Sequence, residues 1–175
     1  MLSLLAALQK VIAKVTDEDL KYLGKILDDW GSGYGDSSDL NYFESFAKKI
    51  DPSFREWPHE VYRGQSLDED ELQKIEDGGK YEIQAGSWSV EEDEAKRFAQ
   101  GHRDNGAIGI VFSYTPKDNE VIINLWELAQ DKSLMKHTPQ ATVDTLRTEG
   151  EILIDSVTVD TSNLYVGADE ELDIF

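Results

Sequence analysis

The spacing of apolar residues changes along the chain, and this change is the feature that most restricts its fold. In the first fifty residues they recur at helical spacing, which predicts amphipathic helices. After residue 100 they come in short runs rich in β-branched and aromatic residues, which predict strands. Helices first and strands later indicate an α+β fold with a largely antiparallel, sandwich-like core. The 175 residues suit one domain, 1–175, with a helical part over 1–52 and a β core over 60–167.

Start and stop signals give the predicted elements. The helices are expected over residues 5–15, from Thr16 or Asp17 to Gly31, from a cap at Ser38 or Asp39 to Lys49, over 66–77 and over 90–100. The helix over 66–77 is expected to start with a capping box between Ser66 and Glu69, and the one over 90–100 with a box between Ser89 and Glu92. The strands are expected over 61–64, 107–114, 121–125, 151–159 and 164–166, with a partly helical stretch over 126–148.

Composition restricts the chemistry that the chain can perform. There is no cysteine, which excludes thiolate nucleophiles and structural zinc, and His59, His102 and His137 lack the spacing of metal ligands, so no metal site is expected. The formal charge is −19, from 36 acidic and 17 basic residues, so nucleic acid is a poor general partner. An acidic surface would attract a basic protein, although the charge could equally serve solubility alone.

The first residues are read as part of a helix and not as a targeting segment. The run 1–8 is apolar but has no basic leader, and its pattern continues through Val11, Ile12 and Val15 with lysines between them. No apolar run approaches the roughly 20 residues of a membrane-spanning helix. We therefore expect a cytoplasmic, monomeric protein without a signal peptide or a membrane contact.

Three short polar signals suggest a site, and each is weak alone. They are Tyr62-Arg63-Gly64, Ser87-Trp88-Ser89 and Glu149-Gly150-Glu151. On an extended chain Glu149 and Glu151 would project from the same face, where their mutual repulsion disfavours them as a purely stabilising pair. The alternative is two solvated acids at a sheet edge.

The serine and arginine signals also have structural alternatives. Helix capping alone explains Ser89, with Ala95, Phe98 and Ala99 on the buried stripe of the helix that follows. Capping does not explain Ser87, which could donate a hydrogen bond to a neighbouring carboxylate. Arg63 could form a structural ion pair, but its planar fork on a strand also suits a phosphate, and Gly64 would let a ligand approach the backbone closely.

A glycine-rich segment in the helical part is less informative. The loop over residues 31–35, Gly-Ser-Gly-Tyr-Gly, resembles a dinucleotide-binding fingerprint only superficially, because a helix precedes it and Asp36 follows it. We assign it no phosphate-binding role.

Taken in order, the three signals resemble the R-S-E class of ADP-ribosyltransferases. That class includes enzymatic subunits of clostridial binary toxins, vertebrate ecto-ADP-ribosyltransferases and the Alt and Mod proteins of T-even bacteriophages. The resemblance covers residues 60–167 and includes the Ala-x-x-Phe-Ala helix after the serines and the Ile-Leu-Ile run after Glu151. One departure is Trp88, which stands where the family has threonine; its side chain is expected to point outward and could alter the nicotinamide pocket. A second is that the stretch before Glu149 lacks the aromatic residue of the toxins' recognition loop, unless Trp126 supplies it.

The resemblance implies an ADP-ribosyltransferase-like split β-sandwich and NAD as substrate, with no metal. Arg63 would hold the NAD phosphates, Ser87 would orient Glu151, and Glu151 would stabilise the transition state as nicotinamide leaves. Glu149 would select arginine as acceptor. The residues expected to contact NAD are Arg63, Gly64, Ser87, Trp88, Ser89 and Phe98.

The resemblance also suggests the setting. A phage enzyme comes first and a bacterial effector second, acting in the host cytoplasm on an arginine of a basic host protein, with NAD-capped RNA as an alternative donor. The competing functions are an NAD glycohydrolase, for which Glu149 would be dispensable, a catalytically silent binding module, and an acidic inhibitor that binds a basic partner.

Overall fold

The computed structural model describes residues 15–101, 107–117 and 119–165. Its helices are α1 (Asp17–Gly31), α2 (Ser37–Ala47), α3 (Glu69–Glu76), α4 (Glu92–Gly101), α5 (Leu125–Leu128) and α6 (Gln140–Glu149). Its strands are β1 (Val61–Leu67), β2 (Tyr81–Ile83), β3 (Gly86–Ser89), β4 (Ile108–Tyr114), β5 (Val121–Asn124), β6 (Glu151–Ile154), β7 (Val157–Val159) and β8 (Leu164–Tyr165). Apart from Val15, the helix predicted over 5–15 lies outside the described residues.

Two antiparallel sheets form the β part. Six strands pair in the order β5-β6-β3-β1-β4-β8, and β2 pairs with β7 in a second sheet. All these pairs are antiparallel. The α+β prediction with an antiparallel core is therefore confirmed. The single strand predicted over 151–159 is wrong: the chain leaves the large sheet after Ile154, and Val157–Val159 joins the small one.

The residues of strand β6 divide between two hydrophobic clusters, one on each face of the large sheet. Leu153 packs with α1, α2 and the residues of α5 and α6, whereas Ile152 and Ile154 pack in the cluster of Trp88 and Phe112. This alternation follows from the pleat of a strand, and all four residues of β6 are buried. By the same alternation Glu151 faces the helical layer with Leu153. The N-terminal helices are thus packed on the sheet face that carries this carboxylate.

Two helix starts differ from the prediction because an aspartate caps the helix in place of a nearby serine. Helix α3 begins after Asp68, which exchanges reciprocal hydrogen bonds with Glu71, because Ser66 still belongs to β1. Helix α2 begins after Asp36, with Asp39 as its reciprocal partner. Short aspartate side chains accept backbone N–H bonds at least as well as serine. The predicted start of α1 at Thr16 or Asp17 is confirmed, and Thr16 is its cap.

The remaining elements agree with the prediction more loosely. The stretch over 126–148 is partly helical, as expected, and its principal helix is α6. Strand β5 ends at Asn124, whose side chain accepts a hydrogen bond from the Glu127 amide and so caps α5. In the parts of the chain that the structure describes, no helix has the length and apolar character needed to cross a membrane.

Candidate functional site

A cleft of about 930 Å³ opens where strands β1 and β3 separate. The two strands are in register only at Tyr62 and Ser89, after which they diverge. Side chains from the diverging parts of both strands therefore line one space, together with the loop after α1, Phe98 of α4 and the turn between α6 and β6. Clefts of this size are typical of small-molecule sites.

Glu151 lies at the base of this cleft and is held by two donors. It is only 5% exposed and is paired across β6 and β3 with Ser89. The Ser87 hydroxyl donates to Glu151 Oε1, and Trp30 Nε1 donates to the same oxygen at 2.7 Å. Burial raises the pKa of Glu151, while the two donors act in the opposite direction. The predicted hydrogen bond from Ser87 to a carboxylate is confirmed.

Glu149 also lines the cleft, but it lies at the end of a helix and not on the extended segment that was predicted. It is the last residue of α6, and Gly150 turns the chain in the left-handed region at φ 59° before β6 begins. The two glutamates therefore do not share an extended segment. A Cβ on Gly150 would lie 2.4 Å from Val90 Cγ2, so glycine is needed for both conformation and packing.

The charged groups that act on Glu149 are two carboxylates, of Glu151 and Glu94, and one cation, Arg97. Burial raises the pKa of Glu149, the charges of Glu151 and Glu94 raise it further, and Arg97 lowers it. The Arg97 guanidinium is 3.7 Å from Glu149 Oε1 and also pairs with Glu94. The side chain of Glu149 is 25% exposed and that of Arg97 is 62% exposed, so the pair stands at the solvent side of the cleft.

The two serines make different contacts, and the capping box predicted between Ser89 and Glu92 does not form. Ser89 is buried; its hydroxyl donates to the Glu149 carbonyl at 2.5 Å and accepts from the Glu91 amide at 2.8 Å. It therefore joins the end of β3 to the end of α6 and does not bond to Glu92. Ser87 is exposed to the cleft and is the serine that contacts the Glu151 carboxylate.

The outward orientation expected for Trp88 is wrong. Trp88 is 2% exposed and packs in the cluster of Ile152 and Ile154, because it projects from the face of β3 opposite to the two serines. Its indole is part of the core under the cleft, and the Arg63 guanidinium lies 6.0 Å from its ring centre. A large apolar residue at this position is thus explained by packing.

Arg63 is a half-buried cation that no acidic residue of the described parts of the chain contacts. Its Nη1 donates to the Gln84 carbonyl at 3.2 Å, and burial lowers the pKa of the guanidinium. No carboxylate of the described residues pairs with it or shifts its pKa. Within the described residues the structure shows no ion pair of Arg63, although the chain carries a charge of −19. A half-buried guanidinium that has no anion among the described residues favours binding of one from outside.

Gly64 and Phe98 both line the cleft, but their environments differ from those predicted. A Cβ on Gly64 would lie 1.9 Å from the Ala95 carbonyl oxygen, so the close approach that needs this glycine is made by helix α4. Phe98 was expected on the buried stripe of that helix with Ala95, but it is 45% exposed and lines the cleft. Both residues still border the space that a ligand would occupy.

Sequence reasoning missed Trp30. It lies 121 positions before Glu151 and was interpreted only as the last apolar residue of an amphipathic stripe. Its neighbours Gly31, Ser32, Gly33 and Gly35 also line the cleft. The only local signal was an aromatic residue at the end of a helix, directly before a glycine-rich loop, and that signal does not identify a partner.

No protein-family model, curated protein or solved structure matched this chain in the comparisons. The lining of the cleft includes one guanidinium, that of Arg63, and the two carboxylates of Glu149 and Glu151. In the described residues no group of histidine, aspartate and glutamate side chains has the arrangement of a metal site.

Proposed function

We propose that the chain is a mono-ADP-ribosyltransferase that cleaves NAD and transfers ADP-ribose to an arginine side chain. The observation that carries the proposal is that Arg63, Ser87 and Glu151, distant in sequence, line one cleft, with the glutamate held by the serine. This is the arrangement that the resemblance to the R-S-E class requires. The antiparallel sheet that opens between β1 and β3 is compatible with that family's split β-sandwich.

The charge distribution of the cleft suits NAD. Its pyrophosphate is anionic, and Arg63 offers a half-buried guanidinium that no carboxylate of the described residues neutralises. Its nicotinamide ribose becomes positively charged as the glycosidic bond breaks, and Glu151 offers a fixed carboxylate there. Carboxylates stabilise oxocarbenium-like transition states in glycoside hydrolysis by the same electrostatic effect. Ser87 keeps that carboxylate in one orientation.

Glu149 supplies the acceptor function. A free guanidinium is protonated and is a poor nucleophile, so it needs a carboxylate that binds it and accepts a proton. In the reaction an acceptor nitrogen bonds to C1′ of the ribose, the bond to nicotinamide breaks, nicotinamide leaves with the electron pair, and the proton passes to Glu149. The position of Arg97, 3.7 Å from Glu149, supports this role because a guanidinium already approaches that carboxylate.

The biological setting stays a prediction. A charge of −19 favours a basic target protein, since complementary charge accelerates association. Action in a bacterial host's cytoplasm, a phage origin and NAD-capped RNA as a donor follow only from the resemblance. Incubation of the protein with labelled NAD and a bacterial lysate, followed by mass spectrometry, would identify modified arginines.

Replacing Glu149 by glutamine is expected to separate transfer from NAD cleavage. Glutamine cannot accept the proton of the acceptor guanidinium, so transfer of labelled ADP-ribose to agmatine should fall about a hundredfold, the usual size of a lost general base. Nicotinamide release should continue, because Glu151 and Ser87 are untouched. The control is Glu91→Gln, which removes an exposed negative charge close to the same turn.

Three outcomes would contradict the proposal or a part of it. Transfer that survives in Glu149→Gln would remove the acceptor role from Glu149. A wild-type protein that yields only free ADP-ribose with every arginine acceptor would be a glycohydrolase. A wild-type protein that binds NAD without releasing nicotinamide would be a binding module, and the proposed activity would be wrong.

A further inference from the structure

We infer that Trp30 is a positioning residue for Glu151 and that the glycine-rich loop after it serves to hold its indole in place. The inference rests on the role proposed for Glu151 and adds the helical N-terminal part of the chain to the active site. Neither the three motifs nor the resemblance assigned any function to this part.

The hydrogen bond from Trp30 differs in kind from that of Ser87. A serine hydroxyl both donates and accepts and can rotate, whereas the indole N–H only donates. Trp30 Nε1 lies 2.7 Å from Glu151 Oε1, the oxygen that also accepts from Ser87. No described residue donates to Oε2, so this oxygen can receive a hydroxyl of the ligand. The indole thus fixes which carboxylate oxygen faces the protein, even if Ser87 turns toward a ligand.

The indole itself is clamped on two sides. The Phe43 ring of α2 meets it edge-on, with 5.5 Å between ring centres and an angle of 89°. On another side the chain passes so close that a Cβ on Gly35 would lie 2.3 Å from Trp30 Cε3. Only glycine permits this approach. Gly33, at φ 76°, lets the loop turn back after the end of α1.

This clamp explains the glycine-rich segment that resembled a dinucleotide fingerprint. Its glycines allow a reversal of the chain and a close contact with an aromatic ring, and neither purpose involves a phosphate. Helices α1 and α2 therefore determine the orientation of the Glu151 carboxylate through Trp30 and Phe43. The helical part belongs to the catalytic unit and is not an appendage.

The test is Trp30→Phe, which keeps a ring in the clamp and removes the N–H donor. Loss of a donor to a charged acceptor should reduce the kcat of nicotinamide release about tenfold or more and change the KM for NAD little. Because the donor lowers the pKa of Glu151, its removal raises that pKa. Activity needs the carboxylate, so the acidic limb of the kcat profile should move to higher pH.

Two further variants separate positioning from packing. Gly35→Ala introduces no polar change but forces the indole aside, so it should reproduce the shift of the acidic limb. Trp57→Phe is the matched control, because the Trp57 Nε1 atom is buried and has no hydrogen-bond partner among the described residues. It loses an indole N–H without losing a hydrogen bond, so kcat and the pH profile should stay as in the wild type.

Titration of the Glu151 carboxyl by carbon-13 NMR measures its pKa directly and does not require that the protein release nicotinamide. The carboxyl pKa should be higher in Trp30→Phe than in the wild type and unchanged in Trp57→Phe. Equal pKa values in Trp30→Phe and wild type, or equal losses of kcat in the two tryptophan variants, would overturn the inference. A wild type that releases no nicotinamide, but whose Glu151 pKa responds as expected, would refute the proposed function and leave the positioning contact intact.

Discussion

Replacing Glu151 by glutamine is expected to remove most NAD cleavage and, at the same time, to make the folded protein more stable. Glutamine keeps the size of the side chain and an oxygen that can accept from Ser87 and Trp30, but it has no charge. Loss of a fixed charge that stabilises a transition state costs roughly a hundredfold or more in rate, on the order of 3 kcal/mol. Single-turnover measurement of nicotinamide release gives this loss directly.

The gain in stability follows from the sign of the pKa shift. Burial is the largest influence on Glu151 and raises its pKa in the folded state above that of the unfolded chain, about 4.3. The folded state is therefore favoured by protonation of Glu151 at low pH, and this contribution is lost as the pH rises through the folded-state pKa. Glu151→Gln avoids that loss, so its advantage in Tm over the wild type should be small near pH 4 and grow toward pH 8.

The control for this experiment is again Glu91→Gln, since that carboxylate is exposed. It removes the same formal charge without removing a buried one, so its Tm should follow the wild type closely across the pH range. A Glu151→Gln protein that is less stable than the wild type at pH 8 would mean that the two donors more than offset the desolvation of the carboxylate. Such opposition between stability and activity is expected where a charge is held for catalysis.

What could be predicted from sequence was the part of the site that lies on strands. The pleat places Ser87 and Ser89 on one face of β3, and a hydrogen bond from Ser87 to a carboxylate follows once β6 is its neighbour. The β core could also be predicted, because runs of β-branched residues are a local signal for strands. That no described carboxylate pairs with Arg63 could not be predicted, since this depends on where the fold places the acidic residues.

The errors have a common cause, which is that local patterns do not specify distant neighbours. Trp88 was expected to point outward, yet the fold buries its side chain among the apolar residues of a core cluster. Gly64 was explained by a ligand, whereas helix α4 fills the space above it. Trp30 was missed because its partner is 121 residues away. Each outcome depends on tertiary packing, which overrides the local signal.

Replacing Gly64 by alanine is expected to be strongly destabilising, for a reason independent of any catalytic role. The new Cβ would lie 1.9 Å from the Ala95 carbonyl oxygen and 2.6 Å from the Ala99 amide nitrogen. Both are backbone atoms of α4, so no side-chain rotation can relieve the overlap, and the helix must move away from β1. Forced overpacking of this kind typically lowers the free energy of unfolding by about 1–3 kcal/mol, sometimes more. Urea denaturation at equilibrium measures the change.

The same displacement should weaken NAD binding, because α4 carries Phe98 into the cleft. The matched comparison is Gly31→Ala, whose Cβ would meet only Thr142 Cγ2 at 3.6 Å, an ordinary contact. Alanine at this end of α1 also lowers the entropy of the unfolded chain. The free energy of unfolding of Gly31→Ala should therefore lie between that of the wild type and a value about 1 kcal/mol higher. If Gly64→Ala were as stable as Gly31→Ala, helix α4 could not lie against β1 as described, and the wall of the cleft formed by Phe98 would have to be placed elsewhere.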